Sequence, residues 1–227
     1  MRIAISGSHS LGKSTVVNDW VARHPHFSRE EEPYRALGLH GPYQILFRDA
    51  STRLHNGIQL YHSISRVHRY ATPADDVIFD RAPVDYLAYS QYTADTGCTD
   101  INDAFVASMV PAVTESLDHL DILAFVPKSD EWPVEMAADG IRPVDHAYRD
   151  AVDAIFKQTY REGRYGVMQG ETRPRLIELV GSRDQRLEQL QQAINEVKAG
   201  AGTATPTTPA APTRGAPTPV RPEVVNP

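Results

Sequence analysis

The sequence predicts a three-layer α/β domain with a mostly parallel sheet of five strands. Three observations carry this. Short apolar runs bounded by polar residues recur along the chain, the kind buried on both faces of a parallel sheet. Stretches with apolar residues three and four apart lie between them, as amphipathic helices require. The first apolar run enters a glycine-rich turn that opens into a helix, so strands and helices alternate from the start.

Residues 2–6, RIAIS, form the first strand, and KSTVVNDWVARH after the turn reads as a helix. HFSREEEP (26–33) is a weaker second strand, placed mainly because an α/β unit needs one there. Leu54, Ile58, Tyr61, Ile64 and His68 recur at helical spacing. DVIFDR (76–81) and DILAFVP (121–127) are buried strands. Ala147, Ala151, Ala154, Ile155 and Gln158 mark a helix, RLIELVG (175–181) the last strand, and Leu187, Leu190, Ile194 and Val197 the closing helix. From residue 199 the chain turns to Ala, Thr and Pro, which predicts a disordered tail beyond a folded domain of 1–198. That tail is either a tether for a partner or a solvated extension.

The chain has 227 residues, 41% of them hydrophobic and 23% charged, ordinary values for a soluble globular protein. No apolar run reaches the ~20 residues needed to span a bilayer, which predicts no membrane partner. A chain that enters a strand at once fits neither a signal nor a transit peptide. The single cysteine, Cys98, excludes an internal disulfide framework and suits a reducing cytoplasm, and it reads as a packing or loop residue. A net charge of −6 argues against a general nucleic-acid coat but leaves room for a local basic site.

The turn GSHSLGKST is a phosphate-binding loop, and its strand–loop–helix setting turns a text match into a predicted site on a P-loop NTPase fold. Gly7 and Gly12 let the backbone wrap an anion, so the amides of Gly7, Ser8, His9, Ser10, Leu11 and Gly12 would cradle a β-phosphate. Lys13 would reach the β- and γ-oxygens, the Ser14 hydroxyl would coordinate Mg²⁺, and Thr15 can donate to the α-phosphate. His9 sits at the crown, with a specific role or simply a tolerance for the turn. The expected cofactors are therefore ATP and Mg²⁺.

Three classes use such a loop. A motor ATPase ends its third strand in Asp-Glu to polarise water, whereas here VIF ends in Asp80-Arg81. An arginine there suits an anionic acceptor or the phosphoryl in transfer better than it suits activating water. A GTPase needs Asn-Lys-x-Asp, and in VPKSD (126–130) Pro127 replaces the amide that reads guanine. Lys128 and Asp130 are then loop residues. Asp80, at the carboxyl end of a central strand, would hold Mg²⁺, with a helix N-cap as the alternative. Arg81 would hold the acceptor or its phosphate. Segment 33–74 contains Arg35, Arg48, Arg53, Arg66, Arg69 and four histidines against one acid, Asp49. This predicts a positive surface that attracts a nucleotide or a nucleic-acid backbone, or else a basic solvated helix face. The histidines lack metal-ligand spacing, so no zinc site is expected.

Four stretches, spread over most of residues 1–198, resemble the P-loop nucleoside and nucleotide kinase group: GSHSLGKST, EEPYR (31–35), FDRAPVDYLAYSQY (79–92) and DGIRPVDHAYRDAVD (139–153). EEPYR is similar to the Glu-Pro that ends the second strand of deoxynucleoside kinases and to the Arg-Glu-Pro of thymidylate kinases. The fourth resembles the lid of the ribosylnicotinamide kinase domain in NAD-biosynthesis regulators and related small ATP-binding proteins. ELVGSRDQRLEQL (178–190) resembles the last strand and helix of the group, whose connecting loop packs near the adenine. The second strand is more polar than the group's, and 36–74 matches no acceptor pocket. The resemblance thus implies an ATP-dependent kinase acting on a nucleoside, a nucleotide or a related nucleic-acid acceptor, without fixing which. It also implies that Glu32 is the base, with a solvated acidic run over Glu30–Glu32 as the alternative reading and Asp80 as the competing base. Arg142 and Arg149 would close over the triphosphate, or form ordinary helix ion pairs. The rival class is a regulatory ATPase that hydrolyses NTP and has no small-molecule acceptor.

Overall fold

The computed structural model describes residues 1–38, 44–70, 72, 75–136 and 144–201. Five strands, β1 (Arg2–Ser6), β2 (Ser28–Glu30), β3 (Val77–Asp80), β4 (Ile122–Phe125) and β5 (Arg175–Glu178), pair in parallel in the order β2-β3-β1-β4-β5. The helices are α1 (Lys13–Arg23), α2 (Pro33–Gly38), α3 (Arg53–Arg69), α4 (Asp85–Thr96), α5 (Asp103–Leu117), α6 (His146–Arg161) and α7 (Arg183–Ala201). The expected three-layer sheet architecture is present. α7 continues past the anticipated boundary at 198, and the tail expected over 199–227 lies, from 202 onward, outside the described residues.

The continuous apolar runs form strands because both faces of the sheet are covered. Ile3, Ile5, Ile78, Ile122 and Ala124 point to one side, where Val16, Val17 and Trp20 of α1 meet Leu187, Leu190 and Ile194 of α7. Ala4, Val77, Phe79, Leu123 and Phe125 point to the other, against α3 to α6. The polar β2 is tolerated because it is an edge strand. Its buried Glu30 accepts hydrogen bonds from Arg66 Nε (2.6 Å) and the Tyr70 hydroxyl (2.5 Å).

Helix α5 escaped the sequence pattern. Pro111 lies inside it, where proline removes a helical hydrogen bond. The Asn102 side chain caps it by accepting from the Phe105 amide (3.0 Å), and burial of Val106, Met109, Val113 and Leu117 holds it. Among the described residues no helix is long and apolar enough to cross a membrane. Cys98 is an exposed residue of the turn after α4.

The register puts Ile5 opposite Asp80 and Ser6 opposite Phe125, so the carboxyl ends of β1, β3 and β4 converge where the phosphate loop begins. The core beneath this edge leans on Phe156, which is fully buried and stacks 6.0 Å from both Phe125 and Tyr160. Phe156→Ala should cost about 3–5 kcal/mol in urea unfolding. A loss below ~1 kcal/mol would show that the surrounding rings close the void.

Candidate active site

The phosphate loop is built by backbone geometry. Gly7 has φ 134°, and a Cβ there would lie 2.5 Å from the Val126 carbonyl oxygen, so no other residue fits. Ser10 and Gly12 are also left-handed, at φ 55° and 86°. α1 follows with Gly12 as its N-cap, no side-chain cap and no acid in its first turn, which leaves its amides for an anion. Lys13 is buried, and its ammonium donates to the Ser8 carbonyl (2.5 Å). Burial, then the charge of Arg81, pull its pKa down to about 7 against the opposing influence of Asp85, Asp80 and Glu32. Ser14 is half-buried and Thr15 exposed.

Asp80 is 2% exposed, and its Oδ2 has no hydrogen-bond partner among the described residues. Arg29 Nη2 is 3.8 Å away. Asp80 is not a helix cap, since α4 begins at Asp85 with Val84 as its N-cap. A buried carboxylate oxygen without a donor is costly, and a hard cation relieves it. Asp80 therefore fits the chemistry of a Mg²⁺ ligand, and Ser14 stands at the head of α1 as the hydroxyl the loop offers. No cluster of three or more His, Cys, Asp or Glu side chains that could hold a metal occurs among the described residues.

Arg81 sits next, at φ 92°, a strained value for a side-chain-bearing residue. Its Nε donates to Glu32 Oε1 (2.5 Å), and its Nη1 to Asp85 Oδ2 (3.2 Å) and the Tyr89 hydroxyl (3.0 Å). Burial alone would lower the pKa of Arg81, but Glu32, Tyr89 and Asp85 more than compensate and raise it. Asp85 is fully buried and accepts from Ser6 Oγ (2.5 Å), which also shares a 2.6 Å hydrogen bond with the Tyr160 hydroxyl. Burial raises the Asp85 carboxyl to about 6 although Arg81 and Lys13 pull it down. Ser6, Asp85, Tyr89 and Tyr160 were not anticipated from sequence. Asp85 had a signal, an acid four residues after Arg81.

A cavity of about 340 Å³ opens beside this pair, with His9, Glu32, Tyr34, Gln59, Arg81 and Tyr148 in its wall. Glu32 is 4% exposed, so Glu30–Glu32 is not a solvated acidic run. His9, at the crown of the phosphate loop, lines this cavity and stacks on Tyr148 at 4.8 Å, with both ring nitrogens buried. The positive surface expected over 33–74 is largely neutralised. Arg48 pairs with Asp145 (3.0 Å), Arg66 with Glu30, and Arg35 lies 3.8 Å from Glu32, while Arg53 Nε donates to the Asp100 carbonyl (2.6 Å). The pairing acids come from other segments, which no local charge count can see.

On the other side of the loop lies a smaller cavity of about 120 Å³, lined by Leu11, Lys128, Asp130, Trp132, Arg149 and Arg186. Arg149 is not a surface residue: it is 6% exposed, Nη1 donates to the Val134 carbonyl (2.9 Å), and its own carbonyl accepts from Ser8 Oγ (2.9 Å). Arg186, unanticipated, donates to the carbonyls of Leu11 (2.8 Å) and Gly181 (3.1 Å). Burial lowers its pKa. Arg142 lies outside the described residues.

The chain matches a family described as AAA domain over residues 2–172. Among solved structures it is similar to the NadR protein in complex with NR, at 15% identity and TM-score 0.59, over 87% of this chain and 51% of that one. It is also similar to deoxyadenosine kinase from M. mycoides with products dCMP and dCDP bound, at 14% identity and TM-score 0.60, over 86% of this chain and 100% of that one. Thymidylate kinase from Candida albicans follows at 15% and 0.56, over 86% and 91%. The chain spans about half the length of the NadR chain that it matches. At these identities the likeness is one of fold, the P-loop nucleoside kinase-like fold. A search of curated proteins gives no match.

Lys13 binds fewer protons folded than unfolded between pH ~7 and its unfolded value of 10.5. Stability of the nucleotide-free protein should therefore rise with pH across that window. Lys13→Met should flatten the rise and raise the melting temperature at pH 7, while abolishing nucleotide binding in calorimetry. An unchanged pH profile would show that the ammonium is not held at this cost.

Proposed function

The chain belongs to the AAA domain family, and we propose that it is an ATP- and Mg²⁺-dependent phosphotransferase whose acceptor is a nucleoside-type hydroxyl compound. The observation that carries this reading is the Glu32–Arg81 ion pair at 2.5 Å, buried in the wall of a cavity that also receives the crown of the phosphate loop. A carboxylate so placed serves an enclosed acceptor, and nothing about it requires water as the nucleophile.

The loop amides and Lys13 hold the triphosphate, and Arg149 flanks it from α6. Ser14 and Asp80 are the residues that would hold Mg²⁺, which when bound neutralises charge developing on the phosphates. Glu32 accepts the proton as the acceptor hydroxyl oxygen forms its bond to the γ-phosphorus and the β–γ bridging oxygen leaves with ADP. Arg81 orients Glu32 through their 2.5 Å hydrogen bond. Asp80 is not in the cavity wall, which favours Glu32 as the base.

The cations of this wall are already matched, Arg81 by Glu32 and Asp85, Arg48 by Asp145. A neutral acceptor enters such a cavity without stranding charge, whereas a phosphorylated one brings uncompensated negative charge. This favours a nucleoside over a nucleotide or a nucleic-acid backbone. The soluble, cytoplasmic setting belongs to the same proposal.

The test is transfer of label from γ-labelled ATP to ribo- and deoxynucleosides, their 5′-monophosphates and single-stranded DNA. Label in the nucleosides is the expected result. Rapid ATP consumption unaffected by any acceptor would instead identify a regulatory ATPase. Glu32→Gln should lower kcat by about 10²–10⁴ while leaving ATP affinity within a few-fold. Near wild-type turnover would remove Glu32 from the chemistry.

A further inference from the structure

We propose that Trp132, together with the guanidinium of Arg186, holds the base of the donor nucleotide by stacking, so that purine triphosphates bind as a class. The proposal rests on reading the phosphate loop as a nucleoside triphosphate site, and it does not depend on which acceptor is used. A loop of main-chain amides fixes the phosphates and leaves the base to be held by something else. A cavity of about 300 Å³, at the lower end of what ligand pockets occupy, is bordered by Gly12 and Thr15, by Trp132 and Pro133, and by Gly181 and Arg186. The phosphate loop and the head of α1 thus share a cavity with an indole and a guanidinium. Trp132 and Arg186 also line the neighbouring 120 Å³ cavity.

Trp132 is 38% exposed, although tryptophan is on average a well-buried residue. The chain's other tryptophan, Trp20, is 2% exposed and stacks on His24 at 4.0 Å. An indole left open on a cavity wall offers apolar area to a flat ligand. Arg186 is held in one orientation by the carbonyls of Leu11 (2.8 Å) and Gly181 (3.1 Å). A planar cation of this kind also stacks on aromatic rings. The main-chain groups of the same wall that could read a base edge are already engaged by α7. The Ser182 amide donates to Gln185 Oε1 (2.8 Å), and the carbonyls of Gly181 and Ser182 accept from Arg186 Nε and from its amide, both at 3.1 Å. Recognition therefore falls on the faces of the base, and stacking tolerates any base that has a flat surface. Purines, with two fused rings, gain most from it.

The test titrates the protein with the Mg²⁺ complexes of AMP-PNP, GMP-PNP and UMP-PNP, and of tripolyphosphate, which carries no base. Affinities are read by calorimetry and by tryptophan fluorescence. Trp132→Ala should weaken both purine analogues roughly fivefold to 150-fold, the range of one lost base stack, and leave tripolyphosphate within about twofold. Trp132→Phe should recover most of that affinity while abolishing the fluorescence response, because the remaining Trp20 is buried. In wild type, AMP-PNP and GMP-PNP should differ by less than about tenfold, with UMP-PNP weaker than either. Unchanged AMP-PNP affinity in Trp132→Ala, equal losses toward AMP-PNP and tripolyphosphate, or a wider gap between the two purines would overturn this proposal alone. Wild-type protein that binds none of the four would overturn the phosphate-loop reading, and the proposed function with it. Protein that binds them as expected yet phosphorylates no acceptor would overturn the proposed function and leave this inference standing.

Discussion

The buried pair of Glu32 and Arg81 is the constraint around which the active edge of the sheet is arranged. Both side chains are 6% exposed, and neither charge can be left there alone, because a buried uncompensated ion costs several kcal/mol. Arg81 also accepts a strained backbone, of order 1–3 kcal/mol, at the end of β3. That strain is overdetermined: the Arg81 amide donates to the Ile5 carbonyl (3.0 Å), and the side chain is gripped by Glu32, Asp85 and Tyr89. Through Asp85 the network reaches Ser6 at the end of β1 and Tyr160 on α6. Five elements thus meet in one polar cluster, and each fixes where the others can stand.

The two sides of the phosphate loop handle cations differently. On the cavity side carboxylates neutralise them. On the opposite side Arg186 spends hydrogen bonds on the carbonyls of Leu11 and Gly181, with no carboxylate in hydrogen-bonding range among the described residues. Arg149 likewise donates to the Val134 carbonyl, and its nearest acid contact is Asp150 at 3.7 Å. Carbonyls orient a guanidinium without cancelling its charge. On that side Lys128 pairs with Asp150 (2.5 Å) and Arg149 lies 3.7 Å from the same acid, so Arg186 is the guanidinium there that the proposed polyanionic donor would meet without a carboxylate partner among the described residues.

What could be read from the sequence follows from how local each signal is. β1, β3 and β4 were legible because burial on both faces imposes continuous apolar runs, and the phosphate loop because left-handed backbone at Gly7 and Gly12 demands glycine. β2 was nearly illegible, since an edge strand carries a paired acid where an interior one carries a hydrophobe. α5 was lost behind Pro111, whose cost is offset by tertiary burial that no local window contains. The charge of segment 33–74 misled for the same reason: Glu30, Glu32 and Asp145, which answer its arginines, lie outside it. Most of the acceptor wall was likewise unseen, because α3, the stretch before it and α4 meet there only in three dimensions. Glu32 and Arg81 were visible in outline, but their pairing was not.

The first turn of α6 ties the two cavities beside the phosphate loop together. Asp145 caps the helix by accepting from the Tyr148 amide (2.9 Å) and pairs with Arg48 from the acceptor segment. Tyr148 carries the stack with His9, and the next residue, Arg149, receives the Ser8 hydroxyl on its carbonyl while its guanidinium lines the donor side. Within five residues this turn touches Arg48 of the segment before α3, the crown of the phosphate loop and the smaller cavity. A ligand that orders this turn from one side lowers the ordering cost left for a ligand on the other, and by linkage the benefit is mutual. On the proposed function, binding of ATP and of acceptor would be coupled through this short element.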